Sequence, residues 1–170
     1  MRRGERAMQA PRIERIVVGI DFSETSTAAA GWIASIFPGA ELTLVHCVEP
    51  PRVPAFLARR AALRERTLDL AREGAGARLA TIGRTLGTRR VRTEVRECEP
   101  VDGIVAAARA ADADLVAVAA TGLRLDGALR GHLGRTAERL ARSSPVPLLM
   151  CTGAMRERPR ALLAALDDAP

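Results

Sequence analysis

Short apolar segments alternate along this chain with segments of helical periodicity, and this alternation limits the fold more than any other feature. Strands are predicted by apolar or alternating runs at 15–20, 41–48, 89–97, 114–120 and 146–151. Helices are predicted between them, from apolar residues spaced three or four apart, at 23–37, 55–86, 101–111 and 133–143. Such alternation is typical of parallel strands joined by crossover helices. We therefore expect a Rossmann-like α/β fold, with an open five-stranded parallel sheet and helices on both faces.

The strands differ in polarity, and this predicts their positions in the sheet. Residues 114–120 form an apolar run that suits the centre of a parallel sheet. Residues 89–97 set Val91, Thr93 and Val95 against charged neighbours, which indicates one wet face and a place near an edge. The last strand, VPLLMC, is apolar, so at a sheet edge it would need cover.

The length of 170 residues fits a single domain with tails. We expect a basic, disordered tail at 1–12, one domain at 13–152, and a C-terminal extension at 153–170 that is either a short helix or disordered. The basic start is followed by no hydrophobic segment, and no apolar run approaches membrane-spanning length. The sequence therefore predicts a cytoplasmic protein without membrane contact.

Composition excludes several classes of function. All 26 basic residues are arginine, which excludes a Walker P-loop, a Schiff-base lysine and a Ser-Lys dyad. The net charge of +6 favours anionic partners, but aromatic residues make up only 2% and offer almost no platform for base stacking. Cys47, Cys98 and Cys151 lie about fifty residues apart, a spacing that predicts no metal site. Cys47 and Cys151 stand in apolar runs and are interpreted as small core residues.

The segment GIDFSETS, which follows the first predicted strand, is the first candidate for ligand binding. In open α/β sheets, ligands bind beyond the carboxyl ends of strands where the strand order reverses. Ile20 and Asp21 stand where this strand stops, and the Asp21 carboxylate can accept hydrogen bonds from a ribose or an amide edge. The alternative is that Asp21 and Ser23 only cap the following helix.

The second candidate is the glycine-rich and arginine-rich segment that follows residues 114–120. Its glycines are Gly122, Gly127, Gly131 and Gly134, and its arginines are Arg124, Arg130 and Arg135. Glycines let backbone amides approach an anion closely, and the predicted helix near Gly134 offers free N–H groups and the positive end of its dipole. The alternative is a flexible surface loop, on which His132 is exposed, whereas His46, inside an apolar strand, is expected to be buried and hydrogen-bonded.

Four blocks of the sequence resemble the universal stress protein (UspA-type) family over roughly residues 13–152. They are RIVVGIDFSETSTAA, LTLVHCVEP, ADADLVAVAATG and GRTAERLARSSPVPLLM. The resemblance implies a five-stranded domain related to the adenine nucleotide alpha hydrolases, a role in survival of stress, and a homodimer that often pairs its last strands. It also implies two branches, of which one binds ATP and the other, UspA-like branch does not.

This sequence departs from the ATP-binding pattern of that family, which reads G-x-x-G, about nine residues, then G-[ST]. Gly134 matches the last glycine, but Arg135 occupies the hydroxyl position and Thr136 follows one place late. Without a gap the earlier glycines fall on Thr121 and Arg124; with a two-residue insertion they fall on Ala119 and Gly122. The loop geometry therefore predicts weak ATP binding or none, although Arg135 is a strong phosphate donor. The G-x-P turn before the third helix is also altered, to Cys98-Glu99-Pro100.

The leading hypothesis is a regulatory domain that acts in stress response through dimerisation and binding of an unidentified protein partner. It is not an enzyme, because no Ser-His-Asp arrangement is indicated, and no catalytic or metal-binding residue is assigned. The alternative is an ATP- or AMP-binding stress sensor that at most hydrolyses ATP slowly, with Mg²⁺ if ATP is bound. A further alternative is nucleic-acid binding through the arginine-rich helix, which the scarcity of aromatic residues disfavours. The candidate nucleotide-binding residues are Ile20, Asp21, Ser23, Gly122, Gly134, Arg135 and Thr136.

Overall fold

The computed structural model describes residues 12–50, 61–87, 90–121 and 133–152, and of residues 61–64 it describes the backbone alone. The expectations for most of the N-terminal tail and for the extension at 153–170 lie outside the described residues. So do residues 55–60 of the long predicted helix, and Gly122 and His132 of the glycine-rich segment.

Five strands and four helices alternate in the order that the sequence predicts. They are β1 (Arg15–Gly19), α1 (Glu24–Ile36), β2 (Glu41–Cys47), α2 (Ala61–Thr85), β3 (Val91–Arg96), α3 (Pro100–Ala110), β4 (Leu115–Ala119), α4 (Arg135–Ser143) and β5 (Leu148–Cys151). The strands form a single parallel sheet, in the order β3-β2-β1-β4-β5. The expected α/β architecture is therefore confirmed.

The strand order reverses at β1, which lies in the middle of the sheet between β2 and β4. From β1 the chain builds outward to β3, and then crosses back to place β4 on the other side of β1. The apolar β4 is thus an interior strand, although the centre belongs to β1. The charged β3 lies at an edge, as its alternation predicts. A crevice is expected beyond the carboxyl ends of β1 and β4, where the two halves of the sheet diverge.

Helices cover both faces of the sheet, because successive strand residues point to opposite sides. In β1, Ile16 and Val18 pack with residues of α1 and α2, whereas Val17 packs with residues of α3 and α4. The largest buried helical side chains are Ile33 and Leu79 on the first face, and the second face includes Ile104 and Leu140. Two apolar layers thus hold the sheet between the helix pairs.

Side chains at two helix starts orient the helices that border this crevice. Ser23 caps α1, since its hydroxyl oxygen accepts a hydrogen bond from the Ser26 N–H at 3.1 Å. Glu99 caps α3 by accepting from the Val101 N–H at 3.0 Å, and Pro100 follows in the first turn. The cap predicted at Ser23 is confirmed, and the altered turn Cys98-Glu99-Pro100 still starts a helix.

Candidate functional site

A cavity of about 390 Å³ lies beyond the carboxyl ends of β1, β2 and β4. The ends of the three strands form one wall, and the first turns of α3 and α4 form another. Its position is the point where the strand order reverses, which is where open α/β sheets bind ligands. The volume falls within the range of about 300–1,000 Å³ that is usual for small-molecule sites.

The structure brings together five of the seven predicted site residues. Ile20 and Asp21 reach the cavity from the end of β1, and Gly134, Arg135 and Thr136 reach it from the start of α4. Asp21 and Gly134, which come from the two candidate segments, therefore border a single cavity.

The two remaining candidates do not line this cavity in the same way. Ser23 is 1% exposed and does not line the cavity, and its side chain takes part in the helix cap. Gly122 lies outside the described residues. A binding role for these two residues stays a prediction.

The Asp21 carboxylate is held in place by the turn that follows it. Its Oδ1 accepts hydrogen bonds from the Ser23 N–H at 3.0 Å and from the Ser23 hydroxyl at 2.6 Å. The same hydroxyl oxygen accepts from Ser26, so the carboxylate is connected directly to the start of α1. Both interpretations offered for Asp21 are thus compatible: it supports the cap and it lines the cavity.

Phe22, between these two residues, adopts a left-handed backbone conformation with φ of 63°. Such a conformation costs of order 1 kcal/mol or more for a bulky residue, so surrounding contacts must maintain it. The Arg78 guanidinium lies 3.9 Å from the centre of the Phe22 ring, and the centres of the Phe22 and His46 rings are 4.3 Å apart. These contacts join α2 and β2 to the turn that carries Asp21.

His46 is a cavity residue that the sequence analysis placed in the core. Its Nδ1 lies 2.7 Å from the Ile20 carbonyl oxygen, and since a carbonyl can only accept, Nδ1 carries the proton. The expected hydrogen bond is therefore present. The expected burial is wrong, because His46 is half-buried and lines the cavity. The imidazole sits at the carboxyl end of β2, where the sheet opens.

Cys47 requires a similar correction. It was interpreted as a small core residue, but it is half-buried and also lines the cavity. Cys151, by contrast, is fully buried in β5, as expected, and burial raises the pKa of its thiol to about 11. Glu49, Pro100 and Ile104 also line the cavity and were not among the predicted site residues. They lie near the carboxyl end of β2 and at the start of α3, two elements from which no site residue was predicted.

The start of α4 supplies the positive side of the cavity. Gly134 precedes the helix and donates its N–H to the Ala120 carbonyl oxygen at 2.7 Å, which ties the helix start to the end of β4. The first three helical residues, Arg135 to Ala137, all line the cavity. Backbone N–H groups at a helix start have no intrahelical partner and attract anions, and the Arg135 side chain adds a full positive charge.

An ion pair sets the position of α4 against α3. The Arg139 guanidinium lies 2.5 Å from Oε1 of Glu99, and Oε2 of the same carboxylate caps α3. Both side chains are partly exposed, so the pair adds little to the free energy of unfolding. It does connect the first turns of two helices that border the same cavity.

The described residues contain no group of three or more histidine, cysteine or acidic side chains placed to hold a metal ion. In the same part of the chain, the helices are all too short or too polar to cross a membrane.

Solved structures of related shape cover nearly the whole domain. Universal stress protein UspA from Lactobacillus plantarum is 23% identical, with a TM-score of 0.63 over 83% of this chain and 99% of that one. A universal stress protein in complex with cAMP is 25% identical, with a TM-score of 0.51 over 84% of this chain and 98% of that one. A universal stress protein from Archaeoglobus fulgidus in complex with dAMP is 19% identical, with a TM-score of 0.50 over 82% and 98%.

Among curated proteins, none matches this sequence. The model of the universal stress protein family matches residues 12–152, which include every strand and helix described above. This match agrees with the four sequence blocks and with the shape of the solved relatives, and the chain therefore belongs to the universal stress protein family.

Proposed function

We propose that this protein is a regulatory domain of the stress response that binds an adenine nucleotide weakly and acts through a homodimer and a protein partner. One observation carries the nucleotide proposal: Asp21, the start of α4 and Arg135 line the same cavity at the point where the strand order reverses. An acidic acceptor and an anion-attracting helix start on one cavity suit the two ends of a nucleotide. Relatives in complex with cAMP and dAMP support this choice of ligand.

The two sides of the cavity suggest how the ligand lies. Asp21 offers a carboxylate to ribose hydroxyls or to the amino edge of adenine, while apolar residues such as Val118 and Ile104 can contact the flat base. The phosphate end then faces the N–H groups of α4 and the Arg135 guanidinium. Mg²⁺, where it accompanies ATP, would be held chiefly by the phosphate oxygens.

Weak binding is proposed because Arg135 replaces the small hydroxyl residue of the ATP-binding pattern and because an earlier glycine is lost. A guanidinium supplies charge without the short, directed hydrogen bond of a serine close to the helix start. The affinity for a nucleotide should therefore depend on charge more than on shape complementarity, and it should fall as salt is added.

The test is thermal unfolding with adenosine, AMP, ADP and ATP, each with and without Mg²⁺. A ligand at ten times its Kd stabilises the native state by about 1.4 kcal/mol, which raises Tm by roughly 3–6 °C for a domain of this size. We expect larger shifts with more phosphates, and we expect Asp21→Ala to abolish them. Asp69→Ala, at an exposed acidic residue of α2 away from the cavity, is the matched control. Unchanged Tm at saturating concentrations of all four compounds would refute nucleotide binding.

Arg135→Ser tests the phosphate side separately, since it restores the residue of the ATP-binding pattern. We expect this variant to bind ATP with less dependence on salt, while adenosine binding stays unchanged. The hydrolysing-sensor alternative predicts release of inorganic phosphate from ATP in proportion to protein, which Asp21→Ala would remove. We expect the parent chain to release no more phosphate from ATP than Asp21→Ala does.

The homodimer is proposed to form through β5. This strand carries no charged side chain, and among the described residues it pairs with β4 alone. The other edge strand, β3, carries Arg92, Glu94 and Arg96, charges that discourage edge-to-edge pairing. Met150 of β5 is 39% exposed, which gives a second copy an apolar contact.

The cytoplasmic location and the protein partner stay predictions from the sequence.

The nucleic-acid alternative predicts an affinity for RNA or DNA that falls steeply as salt is added, because the binding would depend on arginines. Absence of binding to RNA and DNA at low ionic strength would dismiss it.

A further inference from the structure

Two cysteines that are far apart in the sequence meet beside the cavity. Cys47 ends β2, and Cys98 lies in the turn between β3 and α3. The two strands are parallel neighbours, and Cys47 stands opposite Arg96 in their register. Cys98 follows Arg96 by two residues, so the turn after β3 brings it back toward the end of β2.

Gly103 shows how closely the two sulfurs approach each other. A Cβ atom added to this buried glycine of α3 would overlap the Cys47 Sγ and would lie 2.7 Å from the Cys98 Sγ. Both sulfurs thus occupy the space that one methyl group would fill, and each side chain is within hydrogen-bonding reach of the other. A residue with any side chain at position 103 would push the thiols apart.

A positively charged side chain, that of Arg96, packs beside the two thiols. The Arg96 Cδ lies 3.6 Å from the same Cβ position of Gly103, and a terminal nitrogen of Arg96 pairs with Glu94 at 2.6 Å. Within the described part of the chain, the buried Nε of Arg96 has no hydrogen-bond partner. A guanidinium donor beside this pair can stabilise the negative charge that develops during oxidation of a thiol.

The two thiols have unequal surroundings. Burial, together with the neighbouring Cys98, raises the pKa of the Cys47 thiol to about 12. Its Sγ also donates to the Pro100 carbonyl oxygen at 3.8 Å. Since this hydrogen bond engages the Cys47 thiol, we assign the first reaction with an oxidant to Cys98.

We propose that Cys47 and Cys98 form a peroxide-sensitive modification site that closes to an intramolecular disulfide. In the first step, the Cys98 thiolate attacks one oxygen of the hydroperoxide. An S–O bond forms, the O–O bond breaks, and the leaving hydroxide takes up the proton that Cys98 released. In the second step, Cys47 attacks the Cys98 sulfenic acid. The S–S bond forms, the S–O bond breaks, and the hydroxide leaves with the Cys47 proton. Two thiols lose two electrons, and hydrogen peroxide is reduced to two molecules of water.

The disulfide would join the end of β2 to the turn before α3. Cys47 and Pro100 both line the cavity, so oxidation alters part of its wall. A change in nucleotide affinity on oxidation would rest on the proposed function, whereas formation of the disulfide does not.

The test treats the full, reduced chain with one equivalent of hydrogen peroxide, followed by alkylation in denaturant and peptide mapping. Cleavage after arginine places Cys47 in peptide 16–52, Cys98 in peptide 97–109 and Cys151 in peptide 143–156. We expect peptide 16–52 to become linked to peptide 97–109 within monomers, while Cys151 stays alkylatable. Three alkylatable thiols, a link that includes Cys151, links only between molecules, or a sulfinic acid on Cys98 beside a free Cys47 would each overturn the proposal.

Variants separate the roles of the two thiols. In Cys47→Ser, a sulfenic acid on Cys98 should accumulate and be trapped by dimedone, whereas in Cys98→Ser the Cys47 thiol should survive the same dose. Cys151→Ala, the matched control, should form the disulfide as the parent chain does.

Variants of Arg96 test the role of the positive charge. Arg96→Gln should slow the loss of thiols several-fold, and Arg96→Lys should restore part of the rate. Loss of Cys47 in Cys98→Ser at the parent rate would contradict the order of the steps. An unchanged Tm in each variant checks that the fold is retained.

Discussion

Single carboxylates hold the backbone of this domain at the points where elements begin. Asp21 fixes the turn into α1, and Glu99 caps α3. Asp114, just before β4, accepts hydrogen bonds at Oδ2 from the backbone N–H groups of Glu14 and Arg15, both at 2.9 Å. Its own N–H donates to the Arg15 carbonyl oxygen at 2.8 Å, so one residue aligns the starts of β1 and β4.

The Asp114 clamp predicts a pH-dependent stability. The two backbone N–H donors hold the pKa of this carboxyl below its usual value of 3.8. The folded state therefore binds this proton less readily than the unfolded chain does. Ionised Asp114 stabilises the fold above pH 3.8, and this contribution is lost as the pH falls through that value toward the lower pKa of the folded state.

Asp114→Asn removes the charge with little change of shape. We expect a loss of about 1 kcal/mol in the free energy of unfolding at pH 7, kept small by solvent exposure, and a difference that shrinks below pH 4. Urea unfolding of both proteins between pH 3 and pH 7 measures it. A difference that grew on acidification would contradict the role of the charge.

At the scale of elements, the glycines inside α1 and α3 have opposite surroundings. Gly103 of α3 is buried against the two thiols and leaves no room for a Cβ atom. Gly31 of α1 is exposed, and an added Cβ atom would meet no atom within 4 Å. Packing determines the residue at the first position, whereas the fold does not require glycine at the second.

These surroundings predict opposite effects of the same substitution. Gly31→Ala should raise the free energy of unfolding by about 0.5–1 kcal/mol, because alanine restricts the unfolded chain and favours a helix. Gly103→Ala gains the same propensity but forces the thiols and α3 to move, and we expect a net loss of about 1–3 kcal/mol. Chemical denaturation of the two variants compares them directly. If both variants raised the free energy of unfolding equally, the space around Gly103 would be able to hold a methyl group.

At the scale of the whole molecule, the two edges of the sheet differ in charge. The edge at β3 alternates arginine and glutamate with apolar residues, while the edge at β5 is the uncharged sequence LLMC. A parallel sheet built outward from its centre has two edges, and each must be charged, covered or paired. This asymmetry supports the proposal that two copies pair through β5.

The proposed dimer predicts that a charge on β5 disrupts assembly. Met150→Arg should weaken self-association at least about tenfold, since it places like charges across the symmetry axis. Leu70→Arg, at an exposed apolar residue of α2 that is 63% accessible, should leave assembly unchanged. Sedimentation velocity over a range of concentrations distinguishes the two. A parent chain that stays monomeric at high concentration would refute the dimer itself.

Local patterns predicted the elements well because helices and strands have their own periodicities. The cap at Ser23 was readable for the same reason, since it depends on residues three positions apart. His46 and Cys47 were misplaced because they belong to an apolar run whose first residues are buried and whose last residues open onto the cavity. Nothing in the run itself marks where the sheet ends.

By itself, the sequence determined the α/β class, the order of the elements and the family, because these depend on periodicity and on motifs of neighbouring residues. Only the tertiary structure decided which distant side chains meet: Phe22 with Arg78 and His46, and Cys47 with Cys98. Phe22 reaches His46, and Cys47 reaches Cys98, because β2 lies between β1 and β3 in the sheet. Strand order arises from the packing of all the elements together, and no local periodicity records it.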